Sequence, residues 1–287
     1  MTLADGGLGP AEKAPSQGRP AGAPSGLGRL AFRAAWFAGR GIMRDHERAP
    51  TRRETLHMMG GAIAAGAATM TEARAQAPSI KPANDDVFIV VDVQYDFLPG
   101  GALAVKDGDQ VIAPINALAK RLAHVVMTQD WHTPGHVSFA SSHAGKKPFE
   151  ATKLEYGDQV LWPDHCVQGT RGAMIAEELQ IPHAQLVIRK GYNRGIDSYS
   201  GFKEADRKTK TGLEGYLKER GFKRVFVAGL ATDFCVAWTA LDAREAGFDT
   251  FVIEDAARGI DTMGSLSAAW RNMAQAGVQR ITSAAVG

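Results

Sequence analysis

The sequence predicts an α/β fold: a doubly wound, mostly parallel six-stranded sheet with helices on both faces. Three observations carry this. Short runs rich in Val, Ile and Phe are mostly near-continuous in apolar residues rather than alternating, the pattern of strands buried on both sides. Helical periods separate most of these runs, and strand–helix alternation builds parallel sheets. Glycines follow two of the helices, at Gly221 and Gly247, where a left-handed C-terminal residue is favoured.

The elements follow in chain order. The strands are Val87–Asp92, His124–Gln129, Gln185–Arg189, Arg224–Gly229, Thr250–Glu254 and Gln279–Ser283. The first helix, Gln110–Leu122, places Val111, Ile112, Ile115, Leu118, Ala119 and Leu122 on one face. The others are Leu213–Arg220, Phe234–Ala246 and Ser265–Ala276. Between the second and third strands, residues 131–184 show little regular pattern but hold His132, His136, His143, His165 and His183. So long an unpatterned stretch is usually functional. In an open sheet of this class, ligands bind at the carboxyl ends of the strands.

Composition bounds the rest. The chain has 287 residues with 45% hydrophobic and 22% charged content, which fits a globular protein. Its formal net charge of +2 is too mild to indicate nucleic-acid binding, and two cysteines exclude a disulfide scaffold or a Cys-rich zinc module. There is no apolar run of about 18 residues of the kind that spans a membrane. The charge is unevenly placed. Residues 1–77 hold ten of the 33 basic and six of the 31 acidic residues, so they carry +4 and the remainder −2.

Residues 1–42 contain nine Gly and four Pro and sustain no apolar period, so they are expected to be a disordered leader. A charged segment with Arg52-Arg53 follows, then an uncharged Ala, Gly and Met run from Met58 to Thr71, then Ala75-Gln76-Ala77, a small-x-small cleavage pattern. This resembles a twin-arginine export signal, with Thr55 where such signals usually carry Phe or Leu. The expected organisation is leader plus signal over 1–77 and one α/β domain over 78–287. Met43 is a candidate true start. The expected location is exported and periplasmic, or cytoplasmic if the signal does not function.

Four segments at strand ends carry chemistry. Asp92, at the edge of the first strand, is placed for acid–base work, or is simply a turn former. Asp130-Trp131-His132-Thr133-Pro134-Gly135-His136 follows the second strand; Asp and His two apart on an extended segment project to one side and suit a borderline divalent ion. His165 offers a third ligand from the same long loop. Lys190 ends the third strand and would stabilise a thiolate and a developing oxyanion. Cys235 follows Gly229-Leu230-Ala231-Thr232-Asp233-Phe234, a strand, a turn and then a helix start that lowers a thiol pKa. The bland alternative is a buried structural thiol. An exported location would also permit a Cys166–Cys235 disulfide.

Taken in order, Asp92-x-Gln94-x-Asp96-Phe97, Gly101-Ala102-Leu103-Ala104-Val105, Asp130-Trp131-His132-Thr133-Pro134, Trp162-Pro163-x-His165-Cys166, Lys190-Gly191 and Gly229-Leu230-Ala231-Thr232-Asp233-x-Cys235-Val236 resemble the nicotinamidases, a family of isochorismatase-like hydrolases. The resemblance covers about residues 84–286 and implies the isochorismatase-like hydrolase fold. It implies hydrolysis of nicotinamide to nicotinate and ammonia by an Asp92–Lys190–Cys235 triad through a thioester. It further implies one divalent metal, zinc first with iron or manganese as alternatives, held by Asp130, His132 and His165 and completed by waters. His136 is a fourth candidate because some relatives add a histidine near that position. Phe97 and Trp162 would sandwich the ring, and Leu103, Val105 and Leu230 would line the pocket. A non-proline cis peptide at Leu230–Ala231 would aim the N–H groups of Ala231 and Cys235 at an oxyanion. Phe234 departs mildly from the Tyr or His usual there. The expected partner is nicotinamide alone, with no nucleic acid and no membrane span; a homo-oligomer is left open. The alternatives are a related amidase acting on pyrazinamide-like or other heteroaromatic amides, and a non-catalytic nicotinamide-binding protein.

Overall fold

A computed structural model describes residues 79–287. The expected leader and signal therefore lie outside the described residues. The six expected strands are present as β1 (Asp86–Val91), β2 (Val125–Asp130), β5 (Leu186–Lys190), β6 (Arg224–Leu230), β7 (Asp249–Arg258) and β8 (Gln279–Ile281). They form one sheet in the order β5-β2-β1-β6-β7-β8. Every pairing within it is parallel. β1 is buried along its whole length and β6 nearly so, which is why both read as unbroken apolar runs.

Among the described residues the α-helices are α1 (Ile112–Ala119), α2 (Leu213–Glu219), α3 (Ala237–Glu245) and α4 (Ser265–Gln275). The chain moves outward from β1 to β2 and β5, then crosses back to β6, β7 and β8. α3 packs on β6 and β7 and against α4, and α1 packs on β7. α3 buries Ala237, Ala240 and Ala243, small residues that let it lie close against the sheet.

Two features depart from the sequence reading. Within the unpatterned stretch, Ala151–Leu154 (β3) and Gly157–Val160 (β4) pair as an antiparallel hairpin separate from the main sheet. Its strands are short and mostly half-buried, so neither alternation nor a continuous apolar run marks them. The expected helix from Phe234 instead opens as a wide turn over Thr232–Val236, with Val236 N–H donating five residues back to Ala231 C=O at 3.1 Å. Such wide turns recur at functional sites.

β1 lies beside β6 at the point where the strand order reverses, so the carboxyl ends of β2, β1 and β6 converge there. Gly229 is required on β6. Its φ is +121°, and a Cβ would sit 2.1 Å from the Val91 carbonyl oxygen. Beside it the β6–β7 register shifts, carrying β7 on to Arg258.

Candidate active site

Asp92, immediately after β1, has φ +48° and is wholly buried. Its N–H donates to Thr128 Oγ1 at 3.2 Å, and that hydroxyl donates to Asp92 Oδ1 at 2.6 Å. Lys190, last residue of β5, places Nζ 2.9 Å from Asp92 Oδ2 and 3.0 Å from Asp130 Oδ1. The same ammonium donates to Ser198 C=O at 3.1 Å and lies 3.5 Å from Cys235 Sγ. The three residues thus meet, although the sequence separates them widely.

Their charges are mutually set. Burial opposes the Lys190 charge, but Asp130 and Asp92 hold its pKa well above the usual lysine range. Burial raises Asp92, with Lys190 opposing. Burial also pushes the Cys235 thiol well up; Lys190 works against this, while Asp92 and Asp130 add to it. Burial thus holds the Cys235 side chain toward its thiol form.

Beside the triad stand three lone-pair donors. His132 Nε2 is 3.0 Å from Asp130 Oδ2, and His165 Nε2 is 3.3 Å from the same oxygen. The three side chains could hold one ion between them. Each imidazole is oriented from behind: His132 Nδ1 lies 3.0 Å from Gly191 C=O and His165 Nδ1 2.8 Å from Pro163 C=O. A carbonyl only accepts, so Nδ1 carries the hydrogen and Nε2 presents its lone pair to the site. Two imidazole lone pairs and a carboxylate pointing at one place repel unless a cation or proton sits there. Burial opposes charge on His132, yet Asp130 raises its pKa. The residues present thus fit a divalent ion, and their mixed N and O character suits zinc, iron or manganese.

His136 belongs to a second, overlapping set with His132 and Asp197. Its ring packs on His132 at 4.3 Å between centroids. Its Nε2 faces the carbonyls of Asn193 (2.9 Å) and Ile196 (3.2 Å), and Nδ1 meets the Ser138 hydroxyl at 2.8 Å. Both nitrogens are engaged by protein, so in this arrangement neither presents a lone pair to an ion.

One cavity opens onto Cys235, Asp130, His132 and His165, and Phe97, Leu103, Trp162 and Ala231 line it as well. Val105 and Leu230, expected in the pocket wall, are buried and stand outside the residues that line this cavity. The Val105 N–H donates to Phe97 C=O, which fixes the phenylalanine segment from outside. The Leu230–Ala231 peptide is cis. Both cysteines are free, so the disulfide alternative is set aside.

The structure adds residues the sequence reading did not assign. Asp197, Ser198, Tyr199, Phe234 and Ile260 also line the cavity. Gln159, on the β3–β4 hairpin, donates to Asp197 Oδ2 at 2.6 Å and to Tyr199 Oη at 2.9 Å. Tyr199 Oη in turn accepts the Trp162 indole N–H at 2.9 Å, so the hairpin sets the plane of that ring. The Gln94 side chain accepts the Asp130 N–H at 2.7 Å and donates to the Asp130 C=O at 2.8 Å. Asp96 Oδ2 accepts the Cys166 N–H at 2.7 Å, tying the His165 loop to the Phe97 segment. The polar run Asp197-Ser198-Tyr199-Ser200, close after Lys190, was the available signal for the missed wall.

Comparison with known proteins agrees with this geometry. The model of the isochorismatase domain matches residues 86–285. The chain is 58% identical over 204 residues to a nicotinamidase of Acinetobacter baylyi, covering 71% of this chain and 95% of that protein. A solved Acinetobacter baumanii nicotinamidase pyrazinamidase superposes with a TM-score of 0.69 at 59% identity, over 70% of this chain and 97% of its own. A Pyrococcus horikoshii pyrazinamidase solved in complex with zinc superposes with a TM-score of 0.58 at 34% identity, over 69% and 99% of the two chains.

Proposed function

The chain belongs to the isochorismatase family, and within it we propose that it hydrolyses nicotinamide to nicotinate and ammonia through a thioester on Cys235. One observation carries the reading. A thiol 3.5 Å from a lysine that is ion-paired to Asp92 opens onto the same cavity as a three-donor cation site. A nucleophile alone would suit many amides; the added ion site selects an aromatic ring with its own donor nitrogen.

Asp92 takes the Cys235 proton as the sulfur attacks the carboxamide carbon. Its raised pKa makes it a stronger base than an ordinary aspartate. The carbonyl π pair moves onto oxygen, and the N–H groups of Ala231 and Cys235 receive that charge. Lys190 holds Asp92 in place and offsets charge building at sulfur. As the carbonyl re-forms, the C–N bond breaks and Asp92 returns the proton to nitrogen, releasing ammonia. Water then attacks the thioester while Asp92 takes its proton, the C–S bond breaks, and the sulfur regains a proton. Asp130, His132 and His165 would hold a divalent cation, zinc foremost, which when bound would supply a Lewis acid for the ring nitrogen. Phe97 and Trp162 would hold the ring between them.

Pyrazinamide is a second substrate on the same reading, because it offers the same nitrogen and amide; the A. baumanii relative is named for both activities. Cys235→Ala is expected to abolish ammonia release while nicotinamide still binds by calorimetry. Full turnover by Cys235→Ala would overturn the proposal.

A further inference from the structure

Resting on that reading, we propose that Ile260 determines which ring substituents the cavity admits, and that Asp233 is the positioning residue that holds it there. Ile260 is an aliphatic wall residue on a segment that supplies none of the triad or the cation donors. It cannot hydrogen-bond a ligand through its side chain, so it reads shape alone.

The segment is the exit of β7. The shifted β6–β7 register carries that strand to Arg258, and Gly259 and Ile260 follow. The chain then turns tightly, with left-handed φ at Asp261 (+56°), Met263 (+52°) and Gly264 (+81°). Such a turn has no strand ladder to fix it, and its groups must be satisfied otherwise. One carboxylate does so. Asp233 Oδ1 accepts the Ile260 N–H at 2.9 Å, Oδ2 accepts the Asp261 N–H at 2.8 Å, and the Ser265 hydroxyl also donates to Oδ2. Asp233 is 1% exposed and sits two residues before Cys235. Gly259 makes the approach close: a Cβ there would lie 2.8 Å from Leu266 Cδ1 and 3.1 Å from Asp233 Oδ1. The wall that Ile260 forms is thereby registered to the same turn that carries the nucleophile.

The test compares kcat/KM for nicotinamide with kcat/KM for the ring-methylated nicotinamides, using the full chain and ammonia release. One methyl in an apolar pocket discriminates about 10- to 200-fold. Ile260→Ala is expected to raise the methylated-to-parent ratio about tenfold or more for at least one isomer. Ile260→Phe is expected to weaken the parent amide about tenfold, through KM rather than kcat. Asp233→Ala, which removes only the clasp, is expected to move the ratio in the same direction as Ile260→Ala. Ratios within about twofold of wild type in both Ile260 variants would overturn the inference. An Ile260→Ala shift with none in a folded Asp233→Ala protein would overturn the role of Asp233. Wild-type protein that releases no ammonia from nicotinamide would overturn the functional reading and this inference with it. Turnover with unmoved ratios would overturn this inference alone.

Discussion

Lys190→Met removes the one cation that faces both Asp92 and Asp130 among the described contacts, at 2.9 and 3.0 Å, in a fully buried position. Each pair at that distance is worth about 5–6 kcal/mol of attraction at an effective dielectric of about 20, before the desolvation that offsets most of it. What remains after the substitution is the larger effect: two buried carboxylates without their counter-charge. Breaking a buried pair from one side typically costs about 3–5 kcal/mol. For a domain of roughly 150–250 residues each kcal/mol moves the melting temperature by about 2–4 °C, so a fall of about 6–20 °C follows. Thermal unfolding at neutral pH reads this directly. Ammonia release should fall by about a hundredfold or more, because charge at sulfur and oxygen is no longer offset. Lys190→Arg should recover part of the stability and little of the activity, since a guanidinium is broader and planar where a compact ammonium fits. An unchanged melting temperature in Lys190→Met would refute the assignment of Lys190 as the shared counter-charge.

Two further outcomes follow from the same contacts. His132→Ala should lose bound divalent metal by elemental analysis and weaken nicotinamide binding; unchanged metal content would exclude that ligand. Glu204 is a buried acid whose pKa burial raises from its ordinary 4.5 to about 7, with a hydrogen bond from Ser198 opposing. Its folded-state proton is held more tightly than in the unfolded chain, so stability from this group is full below pH 4.5 and is lost as pH rises to about 7. Glu204→Gln should flatten the melting temperature across that window. A slope equal to wild type would show that Glu204 does not titrate there.

Most of the proposed catalytic set was legible because it sits at strand ends. Asp92, Asp130, Lys190 and Cys235 all follow or end apolar runs that mark β1, β2, β5 and β6, and a parallel sheet gathers those ends. What was not legible depends on where loops return. Asp197 reaches the cavity from a segment with no period, and Gln159 reaches Asp197 from a hairpin whose short, half-buried strands carry no pattern. Leu230 stands next to the cavity residue Ala231 in sequence, yet does not line the cavity, because neighbouring side chains on extended backbone point to opposite sides.

By itself the sequence determined the six-stranded α/β plan, the chain order of its main strands, and the residue types that meet at the switch point. These follow from local rules: apolar runs that must be buried, turns that need glycine, and side-chain direction along a strand. Only the tertiary structure decided which partners those groups find. It set Lys190 between two carboxylates, engaged both nitrogens of His136, and pinned Ile260 to the Cys235 turn through Asp233. Such contacts join residues far apart in the chain, and their energies come from burial and direction, which no local pattern records.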